Sequence, residues 1–274
     1  MALLANQGIQ ECLLLDILLM RISLFLIPRL TLLFLIILNS ALQAQTVAEW
    51  MKQGDELDAK QQTKEALAAY QEAERLGSPS AALLHRMAKQ FGLSMNDQPS
   101  EAGKKAAGEK ALAYARRSVA ADAKDADAHV ALAICYGRLL RFQETRQQIA
   151  WSRLIKDSAE QGLRLDPNHE LGCYVLGSWH YELAGLNPLK RGLARVIYGA
   201  MPPASYAEAE SYFKRAIALN PTRMASYVDL GMTYAELDNN TAARQMLAKG
   251  LALPDRDRDD PQVRARGQRA LSEL

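Results

Sequence analysis

The sequence predicts an all-α fold: an α-solenoid of about five helical hairpins, with insertions in the second, third and fourth units. Three observations predict it. A skeleton of aromatic, glycine and alanine residues recurs along the chain. Helix stop signals follow the recurring blocks, as in Asp166-Pro167-Asn168 and Asn220-Pro221-Thr222, because proline cannot continue the hydrogen-bond ladder and restricts the residue before it. No stretch shows the two-residue alternation of a strand with hairpin signals.

The clearest copy is the fifth. Tyr227, Leu230, Gly231 and Tyr234 fit a first helix, and Ala243, Leu247 and Gly250 a second. The glycine lets a neighbouring helix approach while the large residues fill the space around it. The fourth copy has Leu176-Gly177, then Ala209, Phe213, Ala216 and Pro221, with about twenty residues more than the ~34-residue unit needs. Here Ser205-Tyr206-Ala207-Glu208 predicts a capping box opening the second helix. The third copy reads Leu132, Ala133 and Tyr136, closing on Ala159, Gly162 and Pro167. The second is degenerate, with Leu84, Met87, Ala88 and Phe91, then Ala111, Ala115 and Ser118; Pro99 to Gly108 between them reads as a plain loop. The first is uninterrupted: Trp50, Gly54, Leu57, Ala66, Tyr70 and Ala73. A short helix from about Gln262 to Leu274 should cap the stack. The spacing is similar to that of tetratricopeptide repeats.

The chain has 274 residues, 49% hydrophobic and 23% charged, with a net charge of +2. Such a balance gives no support for a nucleic-acid partner. Residues 1–44 differ from the rest. From Met20, which reads as the true start, a basic head precedes an apolar run from Leu30 to Leu38 and small residues up to Ala44. That is the pattern of a secretory signal peptide, leaving a repeat domain over 45–274 in an exported, periplasmic or secreted protein. The alternative is an uncleaved anchor over residues 22–38, at the short limit for spanning; without it, membrane contact would be peripheral. Cys135 and Cys173 fall inside first helices, where small buried side chains are expected rather than a bridge.

No nucleophile motif and no glycine-rich phosphate loop is present, so no catalytic residue and no cofactor is called for and an enzyme is the less favoured class. His169, Cys173 and His180 share one helical face, the nearest approach to a metal site. Cys173 and His180 also occupy repeat packing slots, so no metal ligand is assigned, and a metal-dependent enzyme is the least favoured alternative. First-helix positions that line the concave face of such a stack include Met51, Asp55, Asp58, His85 and Lys89, then Val130, Ile134, Tyr174, Ser178, Tyr181, Val228 and Met232. The last seven form the expected partner-binding groove. It is apolar and aromatic enough for an amphipathic helix or an acyl chain. A chain insertion covering this groove is an equal expectation. In the insertion Gly185 to Ser205, Leu189, Leu193, Val196, Ile197 and Met201 recur at helical spacing opposite Lys190, Arg191 and Arg195. This stripe should pack on the solenoid, or, as the alternative, lay its basic residues on an anionic membrane.

Leu176 to Leu186, then Tyr198-Gly199-Ala200-Met201-Pro202-Pro203-Ala204-Ser205-Tyr206, resembles the regulator of microtubule dynamics proteins. Ala128 to Ile134 and Leu165-Asp166-Pro167-Asn168 are similar to that family's third-repeat entry and the turn that follows. The resemblance covers roughly Gln45 to Leu274. It implies a tetratricopeptide-like domain without catalytic residues, a scaffold acting through protein or lipid contacts.

Overall fold

A computed structural model describes residues 46–198 and 203–274. The signal-peptide and anchor expectations lie outside these residues, as do Gly199 to Pro202. Twelve α-helices and no strand occur among the described residues. They pair as α1 (46–59) with α2 (Thr63–Leu76), α3 (Ala81–Ser94) with α4 (Glu101–Ala121), and α5 (Ala126–Leu139) with α6 (Thr145–Leu165). Next come α7 (Glu170–Ala184) with α9 (Tyr206–Leu219) and α10 (Met224–Glu236) with α11 (Asn240–Leu251). Helix α8 (Pro188–Tyr198) is inserted in the fourth unit, and α12 (Asp260–Ser272) closes the stack.

Each hairpin nests on a small residue of its first helix. A methyl group on Gly54 would stand 2.3 Å from the Tyr70 ring, on Gly177 2.8 Å from Phe213, and on Gly231 2.7 Å from Leu247. The three large partners are themselves buried, so the notch and its filler are two halves of one contact. In the middle units alanine serves, with Ala88 and Ala133 buried in one cluster with Ala111, Ala115, Ile155 and Ala159.

The two uninterrupted units share a tight turn. Gln61 and Asp238, each seven residues beyond the notch glycine, take positive φ values of 59° and 57°. In the other units the extra residues enter at this point. The second and third acquire a 3₁₀ turn, Met95–Asp97 and Leu140–Phe142, before a 21-residue second helix. The loop expected from Pro99 to Gly108 is therefore helical from Glu101. Ser100 caps it by accepting the Gly103 N–H at 3.1 Å, and alanine and lysine suit a helix interior better than a loop.

Between units the chain turns on a repeated device. Asp122, Asp166 and Asn220 each follow a second helix, and their side chains accept the backbone N–H two residues on, at 2.8, 2.9 and 3.1 Å. These Asx turns reverse the chain in about four residues. Ser205 accepts the Glu208 N–H at 3.1 Å, the cap expected for α9. Cys135 and Cys173 are free and buried, and desolvation raises the Cys135 thiol to about 12, which leaves it an inert apolar group.

Candidate functional site: the concave face

Successive first helices lie side by side and carry a ladder of polar links between units. Asp55 of α1 accepts Arg86 Nε of α3 at 2.7 Å, and three residues on Asp58 accepts Lys89 Nζ at 2.6 Å. The common step of 31 residues is one unit in register. His169, at the start of α7, meets Asp127 of α5 at 2.9 Å. Glu170 accepts Arg223 Nε of the fifth unit at 2.7 Å, and Tyr174 donates to Asp229 Oδ2 at 2.8 Å. Arg266 of α12 binds the other oxygen of Asp229. The more exposed pairs, Asp55–Arg86 and Asp58–Lys89, contribute little stability, about 0–1 kcal/mol each, whereas Glu170 and Asp229 are largely shielded from water. The larger effect of the ladder is to fix the register of one unit on the next.

Burial pushes the Asp229 carboxyl up, while Arg266 and Tyr174 pull it back down. Glu182, nearby, is also raised, by burial and then by the Asp229 charge. Tyr174, Asp229 and Arg266 make the C-terminal half of the concave face a hydrogen-bonded polar network, not a free apolar trough.

Two expected groove residues are not groove residues. Val130 is 1% exposed and Val228 0%. Val130 fills the space above Gly162 and faces Gly172, between its own hairpin and the next first helix. Val228 fits between Gly250 of α11 and Gly267 of α12. Both point one step further round the helix than a groove position, into the interface with the following element. Met232 is partly buried against the α12 side of the core, with Val263. Ile134, Tyr174, Ser178 and Tyr181 remain partly accessible.

A cover that sequence reasoning missed is the C-terminal segment, which runs across the stack. Gln61 Nε2, in the first hairpin turn, donates to the Arg256 carbonyl at 2.9 Å. Arg258 binds Asp97 at 2.5 Å. Asp259 accepts Asn96 Nδ2 at 2.7 Å and pairs with Arg138. Asp257 accepts Arg223 Nη1 at 2.7 Å. Residues 256–259 therefore touch the first, second, third and fifth units at once. The run Asp255-Arg256-Asp257-Arg258-Asp259-Asp260 carried the only signal, its alternating charge.

The stripe in the inserted helix does not pack as expected. Leu189 is 84% exposed and Val196 80%, and Leu193 is exposed too, while Ala194 makes the buried contact against α6. Ala194 lies about 100° round the helix from Leu193, so seating the small residue turns the leucines outward. Lys190, Arg191 and Arg195 are exposed, with Arg191 Nη2 donating to the Ala184 carbonyl at 2.9 Å. Met201 lies outside the described residues.

His169, Cys173 and His180 do not converge. His169 and His180 are eleven residues apart, about 16 Å along a helix. Cys173 is fully buried, and His180 stacks on Tyr212 with ring centroids 5.5 Å apart. Burial lowers the His180 pKa from 6.5, so it is neutral. A different set does converge: one donor atom from each of His85, Asp125 and Asp127, all within 4.8 Å of one another. Among the described residues, no helix is long and apolar enough to cross a membrane.

The fold is similar to that of solved tetratricopeptide proteins. A thermophilic tetratricopeptide protein of Thermus thermophilus superposes with a TM-score of 0.56 at 18% identity, over 82% of this chain and 99% of that one. In sequence, regulator of microtubule dynamics protein 1 of Bos taurus is 27% identical over 86% of this chain and 74% of its own length. The Mus musculus protein 1 is 28% identical, over 83% and 75% respectively. The model of the family described as regulator of microtubule dynamics protein 1-3 matches residues 50–274. With this match reaching all five hairpins, from within α1 to the last residue, the chain belongs to the regulator of microtubule dynamics protein family.

Proposed function

We propose that this chain is a non-enzymatic scaffold that binds a protein partner on the N-terminal half of its concave face. The observation that carries the reading is the division of that face. Its C-terminal half is occupied by Asp257 and α12, through Arg223 and Asp229, whereas over the first three units residues 256–259 meet the turns and helix ends, at Gln61, Asn96, Asp97 and Arg138. The surface of α1, α3 and α5 instead displays charged side chains, among them Asp55, Asp58, Arg86 and Lys89. A partner with complementary charges can exchange these exposed pairs for its own at small cost, since each is worth little in place. The family name of the relatives supports a regulatory role over a catalytic one. The leader pattern in residues 1–44 supports an exported protein meeting its partner outside the cytoplasm, which N-terminal sequencing of the mature chain tests.

The scaffold reading is tested by photo-cross-linking from position 58 of the full chain in extracts of its own source. A partner captured there, and lost when Asp55 and Lys89 are both replaced by alanine in a folded variant, supports it. Capture that is indifferent to these replacements removes the concave face from the proposal.

A second reading rests on α8. Its exposed Leu189, Leu193 and Val196, with Lys190, Arg191 and Arg195 alongside, suit attachment to an anionic lipid surface. The two readings use different faces and are compatible.

A further inference from the structure

We infer that His85, Asp125 and Asp127 form a binding site for a divalent transition-metal ion of the zinc class, at the edge of the concave face between the second and third units. One potential donor atom from each lies within 4.8 Å of the others. Two helices separated by some forty residues supply them, because α3 and α5 pack side by side as successive first helices. An ion bound at about 2.0–2.2 Å holds its ligands roughly 3–4 Å apart. Small rotamer adjustments of surface side chains therefore close the site.

Each donor is oriented by a contact that leaves it available. Asp125 caps α5 with one oxygen, accepting the Ala128 N–H at 3.1 Å, which leaves its second oxygen free to coordinate. Asp127 is held by His169 Nε2 at 2.9 Å. His169 in turn accepts the Gly172 N–H through Nδ1 at 3.2 Å. That bond fixes the tautomer: the proton sits on Nε2 and is donated to Asp127. Carboxylate ligands of metals are commonly steadied by such outer contacts. Among the described residues, the hydrogen-bond contact of the His85 ring is a long one, 3.5 Å to Arg86 Nη1. The Arg86 charge is already matched by both oxygens of Asp55, at 2.7 and 3.3 Å. Around the site, Asp55, Asp125 and Asp127 stand against the single guanidinium of Arg86, an imbalance that a dication corrects. One imidazole with two carboxylates is a mixed nitrogen and oxygen set, which suits zinc, cobalt or nickel better than calcium.

Sequence alone assigned no metal ligand and did not bring His85 into consideration with Asp125 and Asp127. Cys173 and His180 serve packing, and His169 steadies a ligand supplied by another unit.

The test uses the untagged full chain, stripped with chelator and titrated with Co²⁺ by visible absorption and with Zn²⁺ by calorimetry. One ion per chain is expected. His85→Ala and Asp127→Asn should abolish binding, and His169→Gln should weaken it about tenfold to a hundredfold. Cys173→Ala and His129→Ala should leave it unchanged. Circular dichroism of each variant separates lost binding from lost folding, and the wild-type titration stands even if His85→Ala does not fold. No saturable binding up to about 1 mM free ion, binding that survives His85→Ala, or loss in Cys173→Ala would each overturn the site.

Discussion

Gly231 shows how much a single missing side chain decides. A Cβ there would meet Leu247 Cγ at 2.7 Å and the Ala243 carbonyl oxygen at 3.1 Å, so one obstacle is backbone and cannot rotate away. Gly231→Trp should destabilise the chain by roughly 3 kcal/mol or more through overpacking. In thermal unfolding this is a loss of roughly 6–12 °C, and an unchanged melting curve would remove the notch from the account. His180 makes a pH-dependent contribution. Its ring stacks on Tyr212 and meets Trp179 edge-on. Desolvation lowers its pKa below 6.5 against the opposing pull of Glu208, with Lys156 adding to the lowering and Glu160 opposing it. The unfolded chain therefore takes up a proton below about pH 6.5 that the folded chain refuses. Stability from this residue is complete above that pH and falls as the solution is acidified. His180→Phe, which keeps the stack, should flatten the melting temperature between about pH 7.5 and 5.5 relative to wild type.

At the scale of an element, α8 is the helix whose placement contradicts its pattern. An apolar stripe on a solenoid insertion is usually a packing face, and Leu189, Leu193 and Val196 have the spacing of one. Packing instead seats Ala194 on α6 and turns Leu189 and Val196 to solvent. If that face meets anionic lipid, the chain should float with phosphatidylserine vesicles at low salt and be released as ionic strength rises. Leu189→Asp with Val196→Asp should abolish flotation without moving the melting temperature, since neither side chain is buried. Wild-type chain that stays with the soluble fraction at low salt would sink the lipid reading. Helix α12 obeyed its pattern more closely. Its predicted start at Gln262 falls two residues inside the observed helix, which begins where Pro261 can occupy the first turn.

For the whole molecule, the decisive feature is the return of the C-terminal segment across the stack. Arg138–Asp259 and Arg258–Asp97 join residues more than a hundred positions apart. A solenoid otherwise holds only its neighbours, so these links restrain its curvature. Arg138→Ala with Asp259→Ala should open the superhelix, raising the radius of gyration in small-angle scattering while helical content stays constant. Unchanged scattering would show that hairpin packing alone sets the shape. The cost in stability should be modest, about 1 kcal/mol, because both pairs keep some contact with water.

The sequence by itself determined the hairpins, their notches at Gly54, Gly177 and Gly231, the stop signals and the family, because these depend on contacts within about forty residues that repeat and so announce themselves. It also indicated where insertions enter, since an insertion breaks a known period. Only the tertiary structure decided which side chains face the groove. A turn of about 100° separates Val130 and Val228 in the core from their neighbours outside, and that rotation is set by the next helix to dock. Only the tertiary structure brought His85 to Asp127, or Asp259 to Arg138, because pairs between distant units follow from the accumulated twist of the stack, which no local pattern records.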